Sequence, residues 1–150
     1  MRQAVTIGSH ASTPEPSRRS RQTASEAAAL AHVRAWFERE IFGPLRAEGP
    51  PAERLARMLD ATEAYFLAGG RVCLVGAFAL DDARDVFAEA VEGYFGAWRG
   101  ALAEVFGAAG VSEEQAWAYA EEVVAGIQGA LVLSRALGEA GVFRARVGGE

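Results

Sequence analysis

Few residues of this chain have the types and the spacing that catalysis or metal binding requires. The two histidines, His10 and His32, lie far apart, and Cys73 has no second cysteine with which to pair. The sequence contains no HExxH motif and no other metal-ligand spacing. Cys73 lies within an apolar run, where a thiol usually behaves as a small, inert hydrophobe. The sequence therefore predicts no metal, no cofactor and no cysteine chemistry.

Pairs of neighbouring acidic residues are the other groups that could act together in acid–base chemistry. They occur at positions 81–82, 113–114 and 121–122. They fall near predicted helix starts, where carboxylates complement the positive end of the helix dipole, or on predicted polar faces. The clustered glycines follow predicted helices and indicate helix ends rather than a phosphate-binding loop. Neither feature indicates catalysis, so we expect the chain not to be an enzyme.

The composition is that of one acidic domain with a basic start. A chain of 150 residues with 51% hydrophobic residues can form one core, and its formal net charge is −5. Residues 1–22 contain four arginines and one glutamate, so this stretch is basic and the rest is acidic. The overall charge disfavours nonspecific binding to DNA or to acidic membranes. The lone thiol and the lack of a signal-peptide core or a ~20-residue apolar run favour a cytoplasmic protein without a membrane segment.

Residues 1–22 show no apolar periodicity, and Pro14 and Pro16 disfavour a helix there. We therefore expect a disordered basic arm over 1–22 and a folded domain over 23–150.

Apolar residues recur at helical spacing along the rest of the chain. The predicted helices cover 23–42, 51–68, 71–80, 82–106, 112–137 and, as a short last element, 142–147. Gly43 and Pro44 should end the first helix, and Asp81 or Asp82 should cap the fourth. The stretch 71–80 has the composition of a strand, but no other segment could pair with it, so we interpret it as a short buried helix. The sequence thus predicts an all-α bundle of five to six helices.

The longest pattern, at 112–137, indicates a helix that is covered from two sides. Ser112 can cap it, and Gln115 completes a capping-box spacing. Two apolar lines lie side by side, and the middle contains small residues, among them Gly126 and Gly129. Each interior glycine costs roughly 1 kcal/mol of helix propensity relative to alanine, which a closely packed neighbouring helix would offset. Two alternatives stay open: a core helix of a monomer, or the contact helix of a homodimer.

Aromatic residues are more numerous than an ordinary core of this size needs, and they could line an apolar cavity between helices. Tyr65, Tyr94 and Trp98 are the preferred candidates, because each has a polar group that needs a partner when buried. The alternative for any one of them is ordinary core packing.

A series of residues recurs in a characteristic order from position 70 to position 143: Gly70, Cys73, Leu74, Gly76, Ala79 and Leu80, then Phe95, Trp98, Arg99 and Leu102, then Gly129, Ala130, Leu131, Leu133, Ser134 and Arg135, and finally Phe143. With this series the chain resembles the C-terminal ligand-binding and dimerisation domain of TetR/AcrR-type transcriptional regulators, in the subgroup typified by the LmrA and YxaF repressors. The resemblance covers about residues 27–147. One departure is that Arg71 and Val72 separate Gly70 from Cys73, where the family often has glycine next to cysteine.

The resemblance implies a homodimer that forms through 113–137 and the segment after Glu139 as a four-helix interface. It also implies a pocket for a small apolar or aromatic effector, formed by the helices at 23–42, 51–68 and 82–106. The expected ligand-binding residues are Trp36, Tyr65, Phe66, Phe78, Tyr94 and Trp98. The expected interface residues are Trp117, Ala120, Val124, Ile127, Ala130, Leu131 and Phe143.

The family's N-terminal helix-turn-helix takes on the order of fifty residues, and only 22 precede the first predicted helix. We therefore expect the effector-sensing and dimerisation domain of a repressor-like regulator whose DNA reader is absent through truncation or a misplaced start. Such a chain should show no sequence-specific DNA binding by itself. The alternative is a helical binding or scaffold domain without a role in transcription.

Overall fold

The computed structural model describes residues 17–68, 73–81 and 85–148, and every long regular element among them is helical. Helix α1 spans Arg18–Phe37 and continues without a break through a π-helical turn, Glu38–Phe42, into α2, Gly43–Arg46. The remaining helices are α3 (Pro51–Ala68), α4 (Leu74–Leu80), α5 (Ala88–Ala108), α6 (Glu113–Leu137) and α7 (Ala140–Val147). The predicted all-α fold is confirmed for the described residues.

Helix α1 begins five residues before the predicted start, so the predicted disorder is wrong for residues 18–22. Ser17 is the N-cap, and its hydroxyl oxygen accepts a hydrogen bond from the Ser20 backbone N–H at 3.2 Å. This serine cap and the arginines that follow it favour a helix, and both prolines lie before the cap. The rest of the predicted arm, residues 1–16, lies outside the described residues.

The first helix does not end at Gly43 and Pro44, as predicted, but runs on to Arg46. Pro44 has no N–H and would clash with the carbonyl of an α-helical turn before it. The chain widens instead into the π-helical turn, in which the Gly43 N–H donates to the carbonyl of Glu38 five residues earlier. This turn and α2 bury three apolar side chains completely: Ile41, Phe42 and Leu45.

Helix α2 is held to α3 by a side chain that reaches its last turn. The Arg54 guanidinium donates from Nε to the Leu45 carbonyl at 2.7 Å, and Nη2 donates to the same oxygen. Carbonyls at the end of a helix lack partners within it, so this contact satisfies one of them.

The short helix predicted in the 70s is confirmed as α4, with Cys73 as its N-cap. The predicted start of the next helix is wrong, because α5 begins at Ala88 and Asp81 instead forms the C-cap of α4. Asp82 lies outside the described residues. The apolar line of α5 begins at Phe87, which marks its true start better than the acidic pair does.

Helix α5 lies at the centre of the domain and contacts α2, α3, α4, α6 and the π-helical turn. Its inner face buries Val91, Tyr94, Trp98, Leu102 and Val105, each at most 6% exposed. Every other helix contributes at least one buried side chain to the same core. Two aromatic residues of the predicted pocket, Tyr94 and Trp98, lie on this inner face of α5.

Candidate functional site

Helix α6 begins and ends as its sequence predicts. The Ser112 hydroxyl oxygen accepts a hydrogen bond from the Gln115 N–H at 3.3 Å, and Gly138 ends the helix in the left-handed conformation with φ 69°. The 25-residue helix is thus well defined, and its two sides have different surroundings.

The side of α6 predicted to face a second subunit is packed against its own chain. Five of the seven expected interface residues are at most 7% exposed within the single chain: Ala120, Val124, Ile127, Ala130 and Phe143. Leu131 is half-buried, and Trp117 is 39% exposed with the Arg99 guanidinium over its ring. Most of the expected interface residues therefore belong to the core of one subunit.

The opposite side of α6, which we call the outer face, is exposed. It contains Ala118, Glu122, Ala125, Gly129, Val132 and Ala136, which follow one another at steps of four and three residues. Beside this line lie Leu133 and Leu137, and the large apolar residues Val132, Leu133 and Leu137 are 63%, 54% and 60% exposed. Except for Glu122, the residues of this line are small or apolar. Their alternating steps of four and three residues are the spacing with which one helix packs along another.

The two glycines in the middle of α6, Gly126 and Gly129, have different surroundings. A side-chain carbon at Gly126 would lie 2.8 Å from Nε and Nη2 of Arg146, so this glycine makes room for α7. A side-chain carbon at Gly129 would meet no atom within 4 Å, and the residue is exposed. Nothing within the described part of the chain accounts for the helix propensity lost at Gly129.

The aromatic residues form a continuous cluster with Phe37 at its centre. The Phe37 ring lies 5.0 Å from Tyr94, 5.3 Å from both Trp36 and Tyr65, 5.7 Å from Trp98 and 6.3 Å from Phe66, measured between ring centroids. Most of these pairs meet edge to face, the arrangement that the charge distribution of aromatic rings favours. The structure thus brings together five of the six expected ligand-binding residues.

The sixth residue, Phe78, lies apart on α4, where its half-buried ring packs on Phe87 at 5.1 Å. Phe37, in contrast, is the hub of the cluster and was not among the expected liners. Phe37 is one of the surplus aromatic residues of the sequence, but residue type alone does not distinguish the hub of a cluster from an ordinary core residue.

Two members of the cluster carry buried polar atoms without hydrogen-bond partners: the Tyr94 hydroxyl and Trp98 Nε1. Both side chains are fully buried, at 1% and 0% exposed. Leaving such a group unpaired costs about 1–3 kcal/mol, so unpaired groups in a native core need an explanation. Burial raises the pKa of the Tyr94 hydroxyl well above its ordinary value of 10.0, and nearby Cys73 and Tyr65 add to the rise. Tyr94 therefore stays protonated at neutral pH.

The polar neighbour of Tyr94 is the Cys73 thiol at the start of α4, which interacts with the hydroxyl. Its sulfur is a weak acceptor and also accepts from the Gly76 N–H at 3.3 Å. Gly76 in turn lets α6 approach, because a side-chain carbon there would lie 2.7 Å from Gln128 Oε1. The Gln128 Nε2 atom is also buried and unpartnered. Its polar type, between apolar neighbours in the sequence, did not identify it as part of this site.

Three clefts open near these residues. The smallest, of about 190 Å³, lies between α1 and the α4–α5 pair and is lined by Ala27, Leu30, Ala31, Arg34, Val75, Phe87, Ala90 and Tyr94. A cleft of about 430 Å³ at the α6–α7 turn is lined by residues including Phe66 and Phe143, and one of about 370 Å³ by residues including Tyr119 and Arg146. The expected liners Tyr94 and Phe66 therefore each lie at the wall of a cleft.

Comparison with known protein families decides which class of protein has this arrangement. Residues 51–146 match the model of the transcriptional regulator LmrA/YxaF-like C-terminal domain, which covers α3 to most of α7. The chain belongs to this family. No curated protein and no solved structure gives a significant match.

Among the described residues of this TetR-type C-terminal domain, no group of three or more His, Cys, Asp or Glu side chains could hold a metal ion. None of the helices so described is long and apolar enough to cross a membrane.

Proposed function

We propose that this chain is the effector-sensing and dimerisation domain of a TetR-type repressor, with the outer face of α6 as the dimer contact and the Tyr94 region as the effector site. Such a regulator would act in the cytoplasm. The described helices supply the sensing half alone, so we expect them to show no operator-specific DNA binding.

The outer face of α6 is the observation that supports a dimer. Two copies related by a twofold axis would bury the exposed Val132, Leu133 and Leu137 against each other. Gly129, open to solvent and without a contact in its own chain, would allow close approach of the two helix backbones. This replaces the residues expected from periodicity: the partner would meet Ala125, Gly129 and Val132 rather than the buried Val124 and Ile127.

The cleft beside the aromatic cluster supports an effector site. A cleft that is apolar apart from a few polar groups is the usual form of a small-molecule site. The cleft at Tyr94 has this form, with apolar side chains from α1, α4 and α5 and one charged side chain, Arg34, at its wall.

The position of this cleft also gives a way to transmit binding. An effector there would lie between α1 and the α4–α5 pair, since Leu30 of α1 faces Val75 and Phe87 across it. In this family the DNA reader precedes the sensing domain, so α1 is the sensing helix closest to the reader along the chain. Effector binding that shifts α1 could therefore change the spacing of two readers in a dimer.

Light scattering with size exclusion tests the dimer contact. We expect the unmodified chain to have about twice its subunit mass of 15.9 kDa. Gly129→Arg should give a folded monomer, because the new side chain fits the exposed surface of one subunit but not a helix–helix seam. Gly96→Arg is the matched control, since Gly96 is also an exposed glycine in a helix interior with no atom near its missing side chain.

The control should remain a dimer, and circular dichroism should show the same helix content for all three proteins. A monomeric unmodified chain, or a Gly129→Arg variant that stays dimeric, would contradict the proposed contact.

A further inference from the structure

The cleft of about 370 Å³ between α3 and α6, which we call the α3–α6 cleft, adjoins the outer face of α6. Its apolar walls come from three helices: Leu55 and Leu59 on α3, Phe106 on α5, and Val123 and Ile127 on α6. Its edge on α6 is formed by Tyr119, which is 40% exposed, and by Glu122. Glu122 also belongs to the outer face. The cleft and the outer face are therefore parts of one continuous surface.

The exposed leucines at the other end of α6 lie on the same flank of the helix as this edge. Each residue of an α-helix turns about 100° around the axis, so Leu133 and Leu137 lie roughly 40° and 80° from Gly129 in one direction. Tyr119 and Glu122 lie roughly 80° and 20° from Gly129 in the same direction. One flank of α6 therefore has an apolar cleft near its start and two uncovered leucines, 54% and 60% exposed, near its end.

A twofold axis beside Gly129 would bring these two ends together. Helices paired about an axis perpendicular to them run in opposite directions, so a residue after Gly129 lies beside the residue equally far before Gly129 in the second copy. The equivalent flanks of the two helices then lie on the same side of the pair. Leu137 comes eight positions after Gly129, and Tyr119 and Glu122 come ten and seven positions before it. Leu137 of one copy therefore meets the edge of the cleft of the other.

On these grounds we infer that each copy of the chain inserts Leu137 into the α3–α6 cleft of the second copy. This inference rests on the proposed dimer contact and specifies what covers its two ends. The leucine leaves water for a site between Leu55, Leu59 and Tyr119. The contact then includes surface from α3 and α5 and is larger than one pair of helices, as a stable interface of about 800 Å² per partner requires.

Cysteine cross-linking of the full chain tests this register. A variant with both Leu137→Cys and Glu122→Cys should form disulfides between subunits under mild oxidation, seen as a band of twice the subunit mass on a non-reducing gel. The two cysteines of one chain are about 22 Å apart along α6, too far for a disulfide within the chain. The unmodified chain, whose Cys73 is buried, is the blank.

The single variants are the controls for the cross-link. Leu137→Cys alone and Glu122→Cys alone should not cross-link, because the two copies of either position lie on the order of 20 Å apart across the axis. Gly129→Cys, next to the axis, should cross-link to its own copy and so reports on the dimer contact separately.

The affinity of the dimer, measured by sedimentation equilibrium, tests the contribution of the leucine. Leu137→Ala should weaken the dimer at least about tenfold, because each dimer buries two copies of this side chain. Leu80→Ala is the matched control, since Leu80 is a leucine on α4 that is 88% exposed, and it should keep the affinity of the unmodified chain.

The outcomes separate the cleft contact from the dimer itself. If Gly129→Cys cross-links, then either a missing cross-link in the Leu137→Cys and Glu122→Cys variant or an unchanged affinity in Leu137→Ala overturns this inference and leaves the dimer contact. If Gly129→Cys does not cross-link and the unmodified chain is a monomer, the dimer contact is overturned, and this inference with it.

Discussion

Replacing Tyr94 by phenylalanine should make the domain more stable, which is the opposite of the usual effect of a change in the core. The hydroxyl is fully buried, and the polar group beside it is the Cys73 sulfur, a weak acceptor that also accepts from the Gly76 N–H, so the folded state bears a desolvation penalty of about 1–3 kcal/mol for it. Tyr94→Phe removes the penalty and leaves a gap of one oxygen atom, which costs less than the ~1 kcal/mol of a missing methylene. The expected net change is a gain of about 1 kcal/mol in the free energy of unfolding.

Urea denaturation at one fixed protein concentration measures this change, because a dimer's apparent stability depends on concentration. The urea midpoint of Tyr94→Phe should rise with an unchanged slope. Tyr119→Phe, at an exposed tyrosine, should stay within about 0.5 kcal/mol of the unmodified chain. A loss of about 1 kcal/mol in Tyr94→Phe would mean that the hydroxyl makes a strong hydrogen bond in the folded protein. That result would refute the claim that the buried hydroxyl lacks a good acceptor.

Three further predictions follow from single contacts. Because burial raises the pKa of Tyr94 in the folded chain, the unfolded chain should lose the Tyr94 proton first, from about pH 10 upward. The free energy of unfolding should therefore fall there by up to about 1.4 kcal/mol per pH unit. Alkaline denaturation of Tyr94→Phe should show a shallower fall. Ser112→Ala should lower the free energy of unfolding by about 1 kcal/mol, because it removes the N-cap of α6. Urea denaturation measures this loss. In the control, Ser17→Ala at the exposed start of α1, fraying should make the loss smaller. Arg54→Met should lower the free energy of unfolding by about 1.5 kcal/mol, because the Leu45 carbonyl loses a charged donor. The control Arg57→Met removes only an exposed contact within α3 and should lower it by less than about 0.5 kcal/mol.

The positions of the helices could largely be predicted from the sequence, because apolar periodicity and capping residues act locally. Ser112 and Gly138 bound α6, and the absence of a pairing partner identified α4 as a helix in spite of its strand-like composition. The errors also have local causes. Pro44 was taken as a stop, but a π-helical turn accommodates it, and the acidic pair at 81–82 was taken as a cap for a helix that begins only at Ala88.

The environment of each helix face could not be predicted in the same way. Periodicity groups Ala120, Val124 and Ile127 on one side of α6, but only the packing of α5 and α7 shows that this side faces its own core. The outer face is harder to detect, since most of its residues are small and Glu122 interrupts its apolar line.

The candidate effector site was predictable to the level of residue type. The need of Tyr94 and Trp98 for polar partners pointed to both residues, and the structure places them together with Trp36, Tyr65 and Phe66 around Phe37. The hydrogen-bonding of the buried polar atoms of Tyr94, Trp98 and Gln128 could not be predicted, because it depends on the three-dimensional arrangement of α4, α5 and α6.

The concentration dependence of thermal unfolding tests the central claim, that the outer face of α6 is buried between two copies of the chain. The Tm of the unmodified chain should rise by about 5 °C between protein concentrations of about 2 µM and about 200 µM, since a hundredfold increase in concentration stabilises a dimer by roughly 2.7 kcal/mol. The Tm of Gly129→Arg should not change. A Tm of the unmodified chain that is the same at both concentrations, in a protein that refolds on cooling, would contradict the account.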